Sequence, residues 1–360
     1  MQLTKRKKSS TVVGLDIEAG SIAATEVEVN GDVRVSASAI EALPGGAFHE
    51  GEVVDPESLA EALKTLFAKH KLSKQVRLGV GNQRVVVRTL RLPAIEDPKE
   101  LDAAVRFQAQ EQIPMPLDQA VLEYQVVGGA PAAEGAKPQI DVVVVAARRD
   151  MVSSFLEPIR RAGLEPVGVD LSAFAMIRAL AGLDSEIAAG QPGDRPVAAA
   201  LYCSVGDVTN LAVARGRACL FTRVSHVGLE AIGGRLAATC QLSAEHASQW
   251  LSYVGLEHPL EQLEGAAETL AEVRRALEEG LTGLIDELRL SLDYYGAQEG
   301  AVPVERIVLC GPGSAIPGLR ERMEEGLGFP ITATRPAALA GFEESAAARL
   351  TLAYGLALES

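Results

Sequence analysis

Aromatic residues are scarce in this chain, at 4%, although hydrophobic residues make up 48%. Its cores must therefore be built from Val, Leu, Ile and Ala rather than from rings. Metal and disulfide patterns are missing too. The four cysteines, Cys203, Cys219, Cys240 and Cys310, are widely spaced and form no CxxC pair, so zinc and dithiol motifs are not supported. Positive charge is in short supply: the formal net charge is −14, which argues against a nucleic-acid surface. No apolar run approaches the ~20 residues of a membrane span. No long apolar stretch follows the N-terminal cations, so no signal peptide is expected. Together these absences predict a cytoplasmic protein, and 360 residues predict two or more domains.

The one basic run, Lys5-Arg6-Lys7-Lys8 beside Ser9 and Ser10, predicts a solvated tail over 1–10. Attraction to anionic lipid is the sharper alternative. From there the chain is punctuated by turns. "VVGLDIEAGSIAATEVE" (12–28) runs apolar to Asp16, turns at Gly20 and Ser21, and returns in alternation, as a strand hairpin does. A helix follows Asp55-Pro56, with Leu59, Leu63, Leu66 and Phe67 as its apolar stripe. "QVRLGVGNQRVVVRTLRLP" predicts two strands joined at Gly-Asn. A second helix runs to Pro114, a third to Gly163. Residues 44–165 are thus expected to form one inserted α+β unit, between pieces of something else.

That something else repeats. "VAAALYCSVGDVTNLAVARGRACLFTRVSHVG" (197–228) has the layout of the opening hairpin: strand, small polar turn, strand, Gly216 turn, strand. Residues 230–296 are mostly helical, with Leu281, Leu284, Ile285, Leu288, Leu292 and Tyr295 on one face of the longest segment. "VERIVLCGPGSAIPGLRERMEEGLG" gives a strand, a Gly-rich turn and a helix; such a turn lets backbone approach phosphate closely. Two duplicated meanders facing each other across a nucleotide describe the architecture of actin, Hsp70 and the sugar kinases.

Several stretches resemble one family within that superfamily. "EQIPMPLDQAVLEYQVV", "GLEPVGVDLSAFAMIRAL", "ELRLSLDYY", "LCGPGSAIPGLRERMEEGLGFPI" and "AYGLAL" are similar to the type IV pilus assembly protein PilM family, whose better-known relative is the cell-division protein FtsA. The likeness runs from about Val12 to Leu358. It implies an actin-like, two-lobed α/β fold. The first subdomain would take 11–43, 166–196 and 343–360. The inserted one would take 44–165, the second actin-like one 197–230 and 297–342, and a helical one 231–296. It also implies a place on the cytoplasmic face of the inner membrane, ATP and Mg as cofactors, and the cytoplasmic N-terminal tail of PilN as partner. Other type IV pilus inner-membrane components and a homo-oligomer belong to the same expectation.

Carried onto this chain, the nucleotide set is Asp16, Glu18, Gly20, Ser21, Gly206, Asp207, Thr209, Glu287, Arg289, Ser291, Gly311, Gly313 and Ser314. Asp16 would hold Mg through water, and Asp16 and Asp170 are the catalytic candidates. The motifs depart from the family. Glu18 stands where Gly is usual and Ala23 where Lys is usual. In the second motif Cys203 takes the place of Asp and Val205 that of Gly, while Thr209 is kept; Leu290 replaces a basic residue. A second carboxylate beside phosphate repels it, and a thiol suits magnesium poorly.

Two readings follow. A partner-binding scaffold with a degraded pocket predicts weak or absent ATP hydrolysis; a working ATPase would switch partner affinity by nucleotide state. An FtsA-like filament former is opposed by the end "GLALES", which carries no basic amphipathic helix, and a carbohydrate kinase by the want of an Asp-bearing sugar site. The partner is expected in an extended form, against Arg84, Val86, Arg88 and Leu90 of one strand and Phe107 and Gln110 of the next helix.

Overall fold

The computed structural model describes residues 11–30, 32–130, 138–189, 198–298 and 300–358. The basic run at 5–8 and residues 190–197 of the Gly/Pro-rich linker lie outside these.

In chain order, β1 (Val12–Ile17), β2 (Ser21–Asn30) and β3 (Asp32–Ala42) form a meander. A small hairpin of β4 (Phe48–His49) and β5 (Glu52–Val53) leads to α1 (Pro56–His70), β6 (Gln75–Val80), β7 (Val85–Pro93), α2 (Pro98–Gln112), β8 (Ala120–Ala130), β9 (Gln139–Arg148) and α3 (Arg149–Arg161). Then come β10 (Glu165–Leu171), α4 (Ser172–Ala189), the meander β11 (Ala199–Val205), β12 (Thr209–Arg215) and β13 (Ala218–Ser225), and the helices α5 (Leu229–Cys240), α6 (Ala244–Val254) and α7 (Ala267–Gly296). The chain closes with β14 (Val304–Cys310), α8 (Leu319–Leu327), β15 (Ile331–Ala333) and α9 (Glu344–Ala357).

Two five-stranded sheets carry the duplication. Their orders are β10-β6-β1-β2-β3 and β13-β12-β11-β14-β15. In each, an antiparallel meander is extended by two parallel strands. Helices cover the outer faces. Leu59, Leu63 and Leu66 of α1 and Phe155 and Ile159 of α3 pack on Leu15 and Ile17. Leu236, Leu251, Leu277 and Leu284 pack on Cys203 and Val205. The inner faces share one layer, α4 and α9, whose Met176, Leu180, Leu350 and Ala353 meet Ala23 of one sheet and Tyr202 and Ala212 of the other. α9 is buried on every side from Ala347 onward apart from Arg349, as a helix between two sheets must be; its Ala- and Leu-rich sequence follows from that. The same sandwiching buries all seven residues of β11 and explains its continuous apolar run.

The helix starts follow local chemistry. The Asp55 carboxylate accepts from the N–H of Glu57 at 3.0 Å and Ser58 at 3.1 Å, and Asp97 caps α2 through Lys99 at 2.7 Å, each ahead of a proline at the first helical position.

The expected insertion is narrower than 44–165. β6 pairs in parallel with both β1 and β10, and α1 and α3 cover the first sheet. The separate unit is the three-stranded sheet β7-β9-β8 with α2, which has its own core of Leu90, Leu92, Val105, Ala109, Val142 and Val144. β6 and β7 are therefore not a hairpin: the Gly-Asn junction passes the chain from one sheet to another.

Candidate functional site

The β1–β2 and β11–β12 turns meet between the two lobes. β1 ends with Asp16 opposite Ala23 and Ile17 opposite Ile22. β11 ends with Ser204 opposite Asn210 and Val205 opposite Thr209. The pairing makes Ser204, not Cys203, the counterpart of Asp16. Packing agrees: Leu15 and Ile17 point into one outer core, Cys203 and Val205 into the other. So the second motif is Ser204-Val205-Gly206, with its glycine kept and its acid replaced by serine. Cys203 is fully buried, and burial pushes its thiol well above the ordinary range. The Ser204 hydroxyl is spent on the Cys310 thiol.

The turns touch through carboxylates. Glu18 Oε1 accepts from the Asp207 N–H at 3.3 Å; the Asp207 carboxylate lies near the N–H groups of Ala19 and Gly20, which oppose the rise in its pKa, while its Oδ2 is buried with no hydrogen-bond partner. A Cβ on Gly206 would lie 2.0 Å from Glu18 Oε1, so only glycine leaves room for this seat. Burial pushes Asp16 up to about 7 and Asp207 up to about 6, with neighbouring carboxylates adding to each, and lifts Glu18 well above the carboxylate range. Arg349 of α9 is the cation that opposes this for Glu18 and Asp207; it also donates to Ser21 Oγ at 3.1 Å. The cavity left beside Asp16, Glu18, Ser172, Asp207 and Asn210 measures about 20 Å³, room for about one water.

The other expected nucleotide residues do not converge here. Thr209 Oγ1 donates to the Val227 carbonyl at 2.7 Å. Glu287 pairs with Arg223 at 2.7 Å, Arg289 reaches Asp286 at 3.3 Å and the Gly326 carbonyl, and Ser291 donates to the Glu287 carbonyl at 2.7 Å. Glu287 and Ser291, four residues apart, thus share one face of α7, while Arg289 takes another. Gly311, at φ +77°, and Gly313 are needed for close packing: a Cβ would meet Ser204 Oγ at 2.5 Å or Val205 Cγ1 at 2.6 Å. Val205 therefore fills the space against the Gly-rich turn, and Ser314 Oγ donates back to the Gly311 carbonyl at 2.7 Å. Asp170 is committed to Arg178 and to the Leu171 N–H at 2.7 Å, outside the residues lining the cleft. An ATP–Mg group does not fit these turns as they stand. The Asp207 N–H, which would meet its phosphates, holds the Glu18 carboxylate, and three carboxyls crowd a cavity of about 20 Å³. Among the described residues no set of three or more His, Cys, Asp or Glu is arranged to hold a metal.

A second concavity, of about 330 Å³, lies where β7 faces β13. Both are edge strands of their sheets, so both present unpaired backbone groups. Val86, Arg88, Asn82, Asn210, Arg223 and Val224 line it. Asn210 Oδ1 is buried with no hydrogen-bond partner. The expected partner residues divide. Val86 and Arg88 line this groove. Leu90 is 1% exposed and belongs to the core: it shares a strand face with Val86 and Arg88 but lies further along β7, against Val105 and Ala109 of α2. Arg84 pairs with Glu52 at 2.5 Å. Phe107, 67% exposed, and Gln110 stand on the outer face of α2, opposite Val105 and Ala109.

A family model of the type IV pilus assembly protein PilM matches residues 14–360. The chain belongs to the PilM family. A solved PilM–PilN type IV pilus biogenesis complex contains a chain 28% identical to this one, covering 97% of this chain and 98% of that one at a TM-score of 0.78. The ethanolamine utilization protein EutJ from Carboxydothermus hydrogenoformans (15% identity, 95% and 88% covered, TM-score 0.51) and ADP-bound MreB5 of Spiroplasma citri (12%, 96% and 94%, TM-score 0.50) share the fold. The two-lobed, duplicated architecture is thus actin-like, as the meanders imply.

Sequence reasoning missed Arg349, Asn210 and the contact between the turns. Arg349 did leave a signal: a lone cation in an otherwise Ala- and Leu-rich stretch is expensive to bury without a partner. The contact left none, since its residues are 189 positions apart.

Proposed function

We propose that this chain is an actin-like adapter of type IV pilus assembly that holds the cytoplasmic tail of PilN as an extended segment along β7. It works at the cytoplasmic face of the inner membrane, brought there by that partner and by other inner-membrane pilus components. It acts as a scaffold rather than through ATP turnover. Family membership and the likeness to a PilM found with PilN support the partner. The observation that carries the mode is the groove between two free sheet edges. An extended peptide satisfies such edges with main-chain bonds, while side-chain pockets select its sequence. Among the described residues no helix is long and apolar enough to cross a membrane, which suits attachment through a partner.

Titration calorimetry with a synthetic PilN-tail peptide tests this. Arg88→Glu, at the groove wall, weakens binding by roughly 1–3 kcal/mol, the size of a real anchor, while Phe107→Ala, on the far face of α2, leaves it unchanged. Arg88→Glu binding as tightly as the parent would place the tail elsewhere.

A further inference from the structure

The second turn at the cleft holds a carboxylate of the first as it would hold a phosphate. Consecutive backbone N–H groups at a tight turn form an anion cradle. Here the Asp207 N–H holds the Glu18 carboxylate from the other lobe at 3.3 Å, and the Asp207 carboxylate lies near the N–H groups of Ala19 and Gly20. The contact crosses the cleft, admits only a glycine, Gly206, beneath Glu18 and leaves only about 20 Å³ beside it.

We propose that Glu18 and Asp207 are a built-in carboxyl latch, which holds the two lobes together without nucleotide and is tightened by protons.

The groups facing the latch come from every element around it. β1 contributes Asp16, β14 contributes Cys310, and α9 contributes Arg349. α5 contributes Glu230, which faces Asp207. Glu230 is itself bound across the cleft by His49 Nδ1 at 2.6 Å and the Glu50 N–H at 3.0 Å, with His226 3.7 Å from Glu50. Glu18 and Asp207 thus share one arginine beside the buried Asp16, in a confined space where the ionised forms are costly. Opening the cleft returns them to water and to ordinary carboxylate behaviour. All three are raised in the closed form, so closure binds protons; it is strongest at low pH and is lost as pH rises through about 6 to 7. The His49–Glu230 pair has the same sign: Glu230 raises His49, and that contact weakens as His49 deprotonates.

Amide hydrogen exchange of peptides covering 18–21 and 206–208, as protection factors, reads the latch directly. Without nucleotide both segments are protected at about pH 5, and protection falls roughly tenfold per linked proton for each pH unit up to about 6 to 7, then levels off by about pH 8. Millimolar Mg-ATP adds none. Glu18→Gln with Asp207→Asn keeps the acceptor oxygens, so protection remains while its pH dependence shrinks. Glu18→Ala with Asp207→Ala loses protection at about pH 5 as well as about pH 8, with an unfolding scan to verify that the variant is folded. The proposal is overturned by turns that exchange freely in the parent protein, by protection that does not change with pH, or by Mg-ATP protecting the parent's turns several-fold.

Discussion

The hairpins β1–β2 and β11–β12 share strand order, pairing direction and position against α4 and α9, but they bring different chemistry to the cleft. The first presents Asp16 on its inner face and Glu18 at its tip. The second presents Ser204 on its inner face and Asp207 at its tip. Duplication of the backbone did not keep the acid at the inner position in both copies. What both copies keep is a tight turn that carries an acid, and the second turn's amide takes the acid of the first. A turn's backbone geometry is set by hydrogen bonding and by residues such as Gly206. The identity of the anion is set by side chains that can change one at a time. An actin-like cleft can therefore lose its fit to nucleotide without losing its closed form.

The largest test of this comparison moves an acid by one residue. Cys203→Asp points a carboxylate into the outer core among Leu201, Leu211 and Leu309. It should cost about 4 kcal/mol or more, as an uncompensated buried charge does. Ser204→Asp, on the inner face, should cost clearly less. Joined to Glu18→Gly, it should raise ATP affinity measured by calorimetry. Denaturant melts of the two single variants that showed equal cost would contradict the assignment of Ser204 as the counterpart of Asp16.

A smaller effect comes from the cation. Arg349 lowers the proton affinity of Glu18 and Asp207. Arg349→Gln should therefore destabilise little at about pH 5, where the carboxylates are protonated, and by about 1–2 kcal/mol at about pH 8, where they must ionise without it. Thermal melts across that range check the sign; equal loss at both ends would mean that Arg349 acts only by packing and through Ser21.

The smallest effect separates the two turn glycines. A Cβ on Gly20 meets nothing within 4 Å, so Gly20→Ala should change stability by less than about 0.5 kcal/mol or raise it slightly through the unfolded chain. Gly206→Ala must displace Glu18, and should cost about 1–2 kcal/mol and loosen the latch. Equal melting temperatures for the two variants would erase the distinction.

Much of the architecture was legible locally. Capped helix starts at Asp55 and Asp97, the left-handed Gly163 after α3 and the repeated strand–turn–strand layout all depend on neighbouring residues, so composition and spacing carry them. β6 was misassigned to the insertion. Its partners, β1 and β10, are distant in sequence, and a parallel pairing leaves no mark in the strand that accepts it. The one-residue error at Cys203 has a similar cause. A strand buried on both faces shows no alternation, so its sequence does not reveal which residues point inward.

By itself, then, the sequence determined the duplicated actin-like plan, the helical elements and the presence of acids at both turns, because these follow from periodicity, capping and turn chemistry. Only the tertiary structure decided which face each strand-end residue takes, that β7 and β13 leave two open edges beside one groove, and that Glu18 and Asp207 lie on each other's turns. Those outcomes depend on packing between segments far apart in the chain, where the energy of a contact belongs to the pair and to neither residue alone.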